Sequence, residues 1–494
     1  MPGWRSRREH SPRRPEARLS AGVSTALVWL RRDLRLADHP AFTAACAAHE
    51  RVLPVYIHAP QEEGAWAPGA ASRWWLHQSL RALGQALRER GGQLYLAAGD
   101  SLDELSRLIA QSGASAVYWT RCYEPARIER DSHIKAELRR RGTLVESQPG
   151  NLLVEPWRLR GSQQRPYQVF TPFWRRLEPQ LTVLRPLPEP RPRQWVKIPG
   201  SLPLDALELE PRIAWAGGLA QTWRPGEAGA QQRLRRFRER ALAEYAAGRD
   251  RPAQAGTSQL SPHLHFGEIT PRQIHHALSR RMPRSGTARH AGIAAYLREL
   301  GWREFAHHML YHFPGTCERN FNRRFDGFPW AQADEAMLER WRRGRTGVPL
   351  VDAGMRELWR TGWMHNRVRM IAASFLSKNL RLHWLHGARW FWETLVDADL
   401  ANNTLGWQWV AGSGADAAPY FRIFNPLTQA ARFDPEAIYL KRWLPELAQL
   451  PARLLLEPWR DPGALNACGY PPPMLDLKVS RQQALAALKS LARD

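Results

Sequence analysis

The sequence predicts two lobes of different class: an N-terminal α/β domain with a parallel, Rossmann-like sheet, and an all-α C-terminal domain, joined by a long loop. Three observations carry this. Residues 25–148 alternate short apolar runs with helix-spaced segments, the pattern of βαβ units covered on both faces. Residues 151–225 are rich in Pro, Gly, Arg and Trp and lose periodicity; PLPEPRPRQW is the clearest low-complexity piece. From Glu227 the spacing turns helical almost to the end. A chain of 494 residues suffices for two or three domains. The boundaries read as a disordered basic arm (1–22), the α/β domain (23–150), a linker (151–225) and the helical domain (226–480).

In order, TALVWL, RVLPVYIH, QLYLAAG, AVYWT and TLVESQ read as strands. SRWWLHQSLRALGQALRERGG has helical spacing and stops at glycines. In SLDELSRLIAQSG, Ser101 and Glu104 form a capping box. PARIERDSHIKAELRRRG is the next helix. The turn after the first strand reads RRDLRLADHP, neither G-x-G-x-x-G nor a P-loop, so a ligand here would not be held by the dinucleotide fingerprint. In the second lobe, QQRLRRFRERALAEYAAGRD is a basic amphipathic helix. YLRELGWREFAHHMLYHF places Glu299 and Arg303 at i, i+4, the spacing of a surface salt bridge. PLVDAGMRELWRTG buries Val351, Met355 and Leu358, and no internal repeat is present.

Composition bounds the partners. The formal charge of +24 favours a polyanion, with nucleic acid first and an anionic membrane surface second. No run of about 18 apolar residues appears, so no spanning helix is expected. The start, MPGWRSRREHSPRRPEARLS, lacks an apolar core and is no secretory signal; it reads as a solvated arm, with non-specific phosphate contact as the alternative. Cys46, Cys122, Cys317 and Cys468 are scattered, with no metal or disulfide-scaffold spacing, which suits a reducing cytoplasm.

The chemistry concentrates in residues 362–426. Trp363, Trp384, Trp390, Trp392, Trp407 and Trp409 stand beside Arg367, Arg369, Asp397, Asp399, Asn402 and Asn403. Apolar walls interleaved with polar anchors suit a pocket for a large flat ligand. A Trp-rich helical core with surface ion pairs is the plainer reading of the same pattern.

The segments VWLRRDLRLADHPAF, TSQLSPHLHFGEITPRQ, ELGWREF, TGVPLVDAGMRELWRTGWMHNRVRMIAASFL and DADLANNTLGWQWVAGSGADAAPYFRIFNP occur in this order. Together they resemble the photolyase/cryptochrome family, most closely its class I enzymes for cyclobutane pyrimidine dimers. The resemblance runs from about Thr25 to beyond Lys441. It implies a light-driven flavoenzyme with FAD in the helical domain, acting on UV-damaged DNA as a cytoplasmic monomer with no membrane partner. The repair it implies is electron transfer from reduced FAD to a flipped-out dimer, with the electron returned.

Carried over by position, the resemblance assigns cofactor contacts to Tyr245, Tyr296, Arg303 and the phosphate-binding turn Thr257, Ser258, Gln259, Leu260 and Ser261. Arg369 and Asp397 would flank the flavin ring, Asp399 would meet its polar edge and Asn403 would face N5, with Asn402 one place early. Trp407, Trp384 and Trp330 match the electron-relay tryptophans, Trp330 one residue out of register. Glu299, Trp302, Asn366, Met370 and Trp409 match the lesion pocket, Trp302 and Trp409 forming an apolar wedge. Glu299 is expected to be desolvated and to work protonated. Arg249, Arg367, Arg422 and Gln429, with Glu299, Trp302 and Asn366, are the candidate DNA contacts. The (6-4) enzymes carry histidines at the places held here by Asn366 and Met370, which cannot donate an imidazolium proton, so dimer repair is favoured. An antenna chromophore, methenyltetrahydrofolate or a deazaflavin, is possible, but Ala126 and Arg127 stand where folate-binding members carry an Asn-Glu pair. The rival from another class is a cryptochrome-type blue-light receptor.

Overall fold

The computed structural model describes residues 24–181, 185–280, 282–417 and 421–491. The basic arm and Ala418–Pro419–Tyr420 of the closing motif lie outside the described residues. Strands β1 (Thr25–Leu30), β2 (Arg51–His58), β3 (Tyr95–Ala98), β4 (Ala114–Thr120) and β5 (Leu144–Gln148) form a parallel sheet in the order β3-β2-β1-β4-β5. A short β6 (Gln194–Trp195) adds to β2 from the long connection. All six residues of β1 are buried, as a central strand covered on both faces requires. Ala26, Val28 and Leu30 enter one core with Trp75, while Leu27 and Trp29 enter the other with Trp119.

The helix Ser101–Ser112 differs in its cap. Asp100 precedes it in extended conformation and accepts from the N–H groups of Leu102 and Asp103, at 2.9 and 3.0 Å. Ser101 instead donates through its N–H and its hydroxyl to Glu62, and Glu104 pairs with Arg107. An aspartate one position earlier has taken the role expected of the Ser101–Glu104 box.

The loop RRDLRLADHP is a polar clamp. Arg35, fully buried, donates to the carbonyls of Asp38, Gly150 and Gly267, joining β1, the exit from β5 and the helical domain. Asp38 accepts from Leu187, Thr270 and Arg272. Gly267 has φ +67° and a Cβ there would sit 2.0 Å from the Arg32 carbonyl oxygen, so the two domains approach backbone to backbone.

The stretch 151–225 holds a helix, Phe170–Leu177, whose Phe170, Phe173, Trp174 and Leu177 are buried against Phe305 and Met309. The second lobe is helical throughout, with one π turn at Phe375–Asn379, and its last helix runs Leu477–Leu491. Val351, Met355 and Leu358 are buried as expected. No described helix is long and apolar enough to cross a membrane.

Candidate active site

Several helices of the second lobe carry the candidate site residues. Tyr245 opens the short helix Tyr245–Gly248, and Tyr296 lies on the long helix Ala288–His312; both rings are buried, with centroids 5.2 Å apart. The Ser258 and Tyr296 hydroxyls share a hydrogen bond of 2.9 Å, which ties the turn 257–261 to that helix. Leu260 is buried beneath the turn, Gln259 holds φ +52°, and Ser261 begins the helix Ser261–His265.

Glu299 and Arg303 do not pair. Arg303 donates to the Asn151 carbonyl and to Glu304, at 2.8 and 3.4 Å. Glu299 instead accepts from Arg249. The i, i+4 expectation fails because each side chain has a stronger non-local partner than the exposed helix surface offers.

Arg369 and Asp397 form a bidentate pair, 2.9 and 3.1 Å from Nη2, and Arg369 Nε is fixed on the Met364 carbonyl at 2.7 Å. Asp399 caps the helix Leu400–Ala411, accepting from the Asn402 backbone at 2.9 Å and from its side-chain amide at 2.7 Å. Asn402 is thereby spent on the cap, while Asn403 turns inward and donates to the Ala388 carbonyl at 3.0 Å. His265 and His307 face Asp399 at 3.6 and 3.5 Å. Burial pushes the Asp399 carboxyl up, but the two imidazoles outweigh it and hold the carboxyl well below the usual range. Burial, reinforced by Arg32, lowers His265 to about 4, so it is neutral at physiological pH.

The relay tryptophans differ in setting. Trp407 packs edge-on against Phe391 at 4.9 Å and Trp341 at 6.3 Å, and Gly387 leaves room for its ring. Trp384 is fully buried and donates to Asn320 at 2.9 Å. His383 lies between Trp384 and Trp330, at 5.5 and 5.1 Å, and Trp330 Nε1 is buried without an acceptor among the described residues.

Among the residues expected at the lesion, Trp302 stacks on Phe170 at 3.7 Å and 8°, ring face to ring face. Trp409 stacks on Phe424, over which Arg422 also lies. Asn366 and Met370 are one turn apart on the helix Asn366–Ser374, with Nδ2 3.9 Å from the sulfur. Arg367 pairs with Asp250 at 2.7 Å and lies 4.5 Å above Phe433, on the helix Pro426–Phe433 that carries Gln429. Arg249 and Asp250 are chain neighbours, so Glu299, Arg249, Asp250 and Arg367 make one alternating row of charge. The expected desolvation of Glu299 is not found: its side chain is 31% exposed and ion-paired with Arg249.

Residue 296–490 matches the FAD binding domain of DNA photolyase, and 26–192 matches DNA photolyase. A deoxyribodipyrimidine photo-lyase of Agrobacterium fabrum is 44% identical over 96% of this chain and all of its own. The chain belongs to the photolyase/cryptochrome family. Cryptochrome-2 of Arabidopsis thaliana is 39% identical, with 94% of this chain and 78% of that protein aligned. Among solved structures, a bacterial class III photolyase from Agrobacterium tumefaciens superposes with a TM-score of 0.89 at 43% identity, over 97% of this chain and all of that one. Thus a class III photolyase stands among the near relatives, where the sequence reading had placed the chain nearest class I.

The protein is an enzyme of the photolyase type with FAD as its cofactor. The residues present fit that group: hydroxyls and open N–H groups at 257–259, two tyrosine rings, an Arg369–Asp397 pair and an inward amide at Asn403. Phe170, Asp250, His265 and His307 were missed by sequence reasoning. Asp250 is legible in hindsight from its position beside Arg249; Phe170, within an aperiodic stretch, carried no signal. Arg127 is buried and paired with Glu63 at 2.6 Å, so it offers no free polar contact where folate-binding members carry Asn-Glu.

Proposed function

We infer that this photolyase-family enzyme repairs cyclobutane pyrimidine dimers in UV-damaged DNA under light. The observations that support this reading are the Trp302–Phe170 stack, the Trp409–Phe424 stack and the Asn366–Met370 pair, with no imidazole at positions 366 or 370. A stacking plate suits an extruded, flat dimer, and the amide–thioether pair suits a reaction needing no acid catalyst there. Bound FAD supplies light-driven electron donation to the dimer and recovers the electron after ring splitting.

The chain's own residues bind, orient and shield. Arg249, Arg367, Arg422 and Gln429 meet phosphates around the opening, and affinity falls with salt at about −0.9 log units per neutralised phosphate. Extruding a damaged pair costs on the order of a few kcal/mol, less than an intact one. Glu299 is positioned to bond the pyrimidine edge once Arg249 is drawn to a phosphate. Arg369, Asp397, Asp399 and Asn403 orient the flavin ring, and Trp407, Trp384 and Trp330 deliver electrons from the surface to keep it reduced. The reading includes a cytoplasmic monomer; the four cysteines are free.

An antenna of the flavin or deazaflavin type would sit at the cleft between the domains lined by Tyr56, Phe266 and Trp392 with Arg31, Arg32 and Arg130. A cryptochrome-type photoreceptor is the second reading, favoured by the 39% identity to Cryptochrome-2. The test is illumination of the protein with duplexes carrying one cyclobutane dimer or one (6-4) product. Repair of the first alone supports the reading. Repair of the (6-4) product, or of neither, overturns it.

A further inference from the structure

We propose that Arg233 is a positioning residue for FAD, holding the cofactor's diphosphate turn in shape by gripping the Gln259 side chain. This rests on the reading of residues 257–261 as that turn.

Three observations meet at this point. First, Gln259 has φ +52°, a left-handed conformation that a non-glycine residue holds only when its surroundings impose it. Second, the N–H groups of Thr257, Ser258 and Gln259 have no acceptor among the described residues. Successive open N–H groups around a left-handed residue form a concavity suited to an anionic oxygen. Third, the side chains lock this arrangement from both sides. Ser258 Oγ accepts from Leu260 N–H at 3.3 Å and bonds Tyr296, and Gln259 Oε1 accepts from Arg233 Nη1.

Arg233 is itself held. Its Nη2 donates to the Thr222 carbonyl at 2.8 Å, and its guanidinium lies 4.4 Å over Trp223. Trp223 is buried and donates to the Thr361 carbonyl at 2.6 Å, so the grip is anchored in the helical core. Burial lowers Arg233 to about 10, which leaves it cationic at neutral pH, yet it forms no salt bridge with a carboxylate among the described residues. A half-buried cation without a carboxylate adds positive potential beside the turn. On the other flank Gly256 lies on Gly248, where a Cβ would come 2.6 Å from the carbonyl oxygen, so the turn cannot shift that way.

The argument predicts a rescue. Glycine takes positive φ without strain, so a turn with glycine at 259 has little need of the grip. FAD affinity is measured by fluorescence recovery on dilution for the wild type, Arg233→Met, Gln259→Gly and the double variant, each checked by circular dichroism. We expect Arg233→Met to weaken FAD binding about tenfold, equivalent to about 1.4 kcal/mol. In the Gln259→Gly background the same Arg233→Met substitution should cost no more than about twofold to threefold. Unchanged binding in Arg233→Met, or a loss of about tenfold when it is added to Gln259→Gly as well, overturns the proposal. Thr257→Ala/Ser258→Ala separates the two levels: weakened FAD binding there with Arg233→Met silent overturns the grip alone, whereas no effect in either overturns the turn's cofactor role and the grip with it.

Discussion

At the scale of single residues, the proposed lesion face turns on Trp302. Its indole is held parallel to Phe170 at 3.7 Å, so the plate is preorganised before DNA arrives. Base–aromatic stacking contributes about 1–3 kcal/mol. Trp302→Ala should therefore weaken binding to dimer-containing duplex by about 5-fold to 150-fold while leaving undamaged DNA nearly unaffected. Competition binding with matched duplexes checks this, and equal losses on both would remove Trp302 from the lesion face. Glu299 shows what sequence could not reach. Its place on the helix Ala288–His312 was legible from ELGWREF, but its ionic partner lies 50 residues away at Arg249. Only the fold shows that the carboxylate is paired and half-exposed instead of desolvated. The same holds for Asn402 and Asn403, adjacent amides that the helix sends to opposite fates, one to the cap and one inward.

At the scale of elements, the helix Ala288–His312 is the spine of the site, since it carries Tyr296, Glu299, Trp302 and Arg303 and is strapped to the interdomain chain by Glu304. Glu304 is buried and accepts from the N–H groups of Leu153 and Val154 at 2.8 and 3.3 Å. Burial pushes its carboxyl up to about 7, against the opposing pull of Arg303 and His307. A carboxyl whose folded-state value is raised keeps a proton that the unfolded chain has already released. Its contribution to stability is therefore present below the ordinary value of about 4.3 and declines as pH rises towards 7. Thermal melts of the wild type should lose stability across that window, and Glu304→Gln should flatten the slope. An unchanged slope would show that Glu304 is ionised in the folded protein throughout. Element identity was largely legible because β1 is a continuous apolar run and helices such as Ser101–Ser112 and Pro349–Thr361 have clear periodicity. The cap of Ser101–Ser112 was not, because Asp100 and Ser101 are both good capping residues and only the backbone decides between them. The helix Phe170–Leu177 was hidden in a proline-rich stretch because its order comes from packing on Phe305 and Met309, not from local propensity.

At the scale of the whole molecule, two domains are joined by an apolar seam, in which Trp75 meets Phe266 and Trp66 meets Trp392, and by buried polar contacts. Arg35 reaches the Gly267 carbonyl across the junction while holding Asp38 and Gly150 on its own side, Asp38 binds Thr270 and Arg272, and Gly267 lets the backbones touch. The two-lobe architecture was legible because strand–helix alternation gives way to pure helical spacing. The junction was not, since RRDLRLADHP read only as the absence of a phosphate motif. Its charges turn out to be an interdomain clamp, with Arg32 reaching His265 and so the Asp399 cap of the helix that carries Asn403 and Trp407. The formal charge of +24 over the whole sequence is in keeping with a DNA partner. The central claim, light-driven dimer repair with no net redox change, is tested most directly by one measurement. The fully reduced protein is mixed with a duplex carrying a single thymine dimer and exposed to near-ultraviolet or blue light, with a matched dark sample, while thymine absorbance and the flavin spectrum are followed together. The account predicts that intact thymines return only in the light, over many turnovers, with the flavin still reduced at the end. Thymines that return in the dark, fail to return in the light, or return only as flavin is consumed one for one would contradict it.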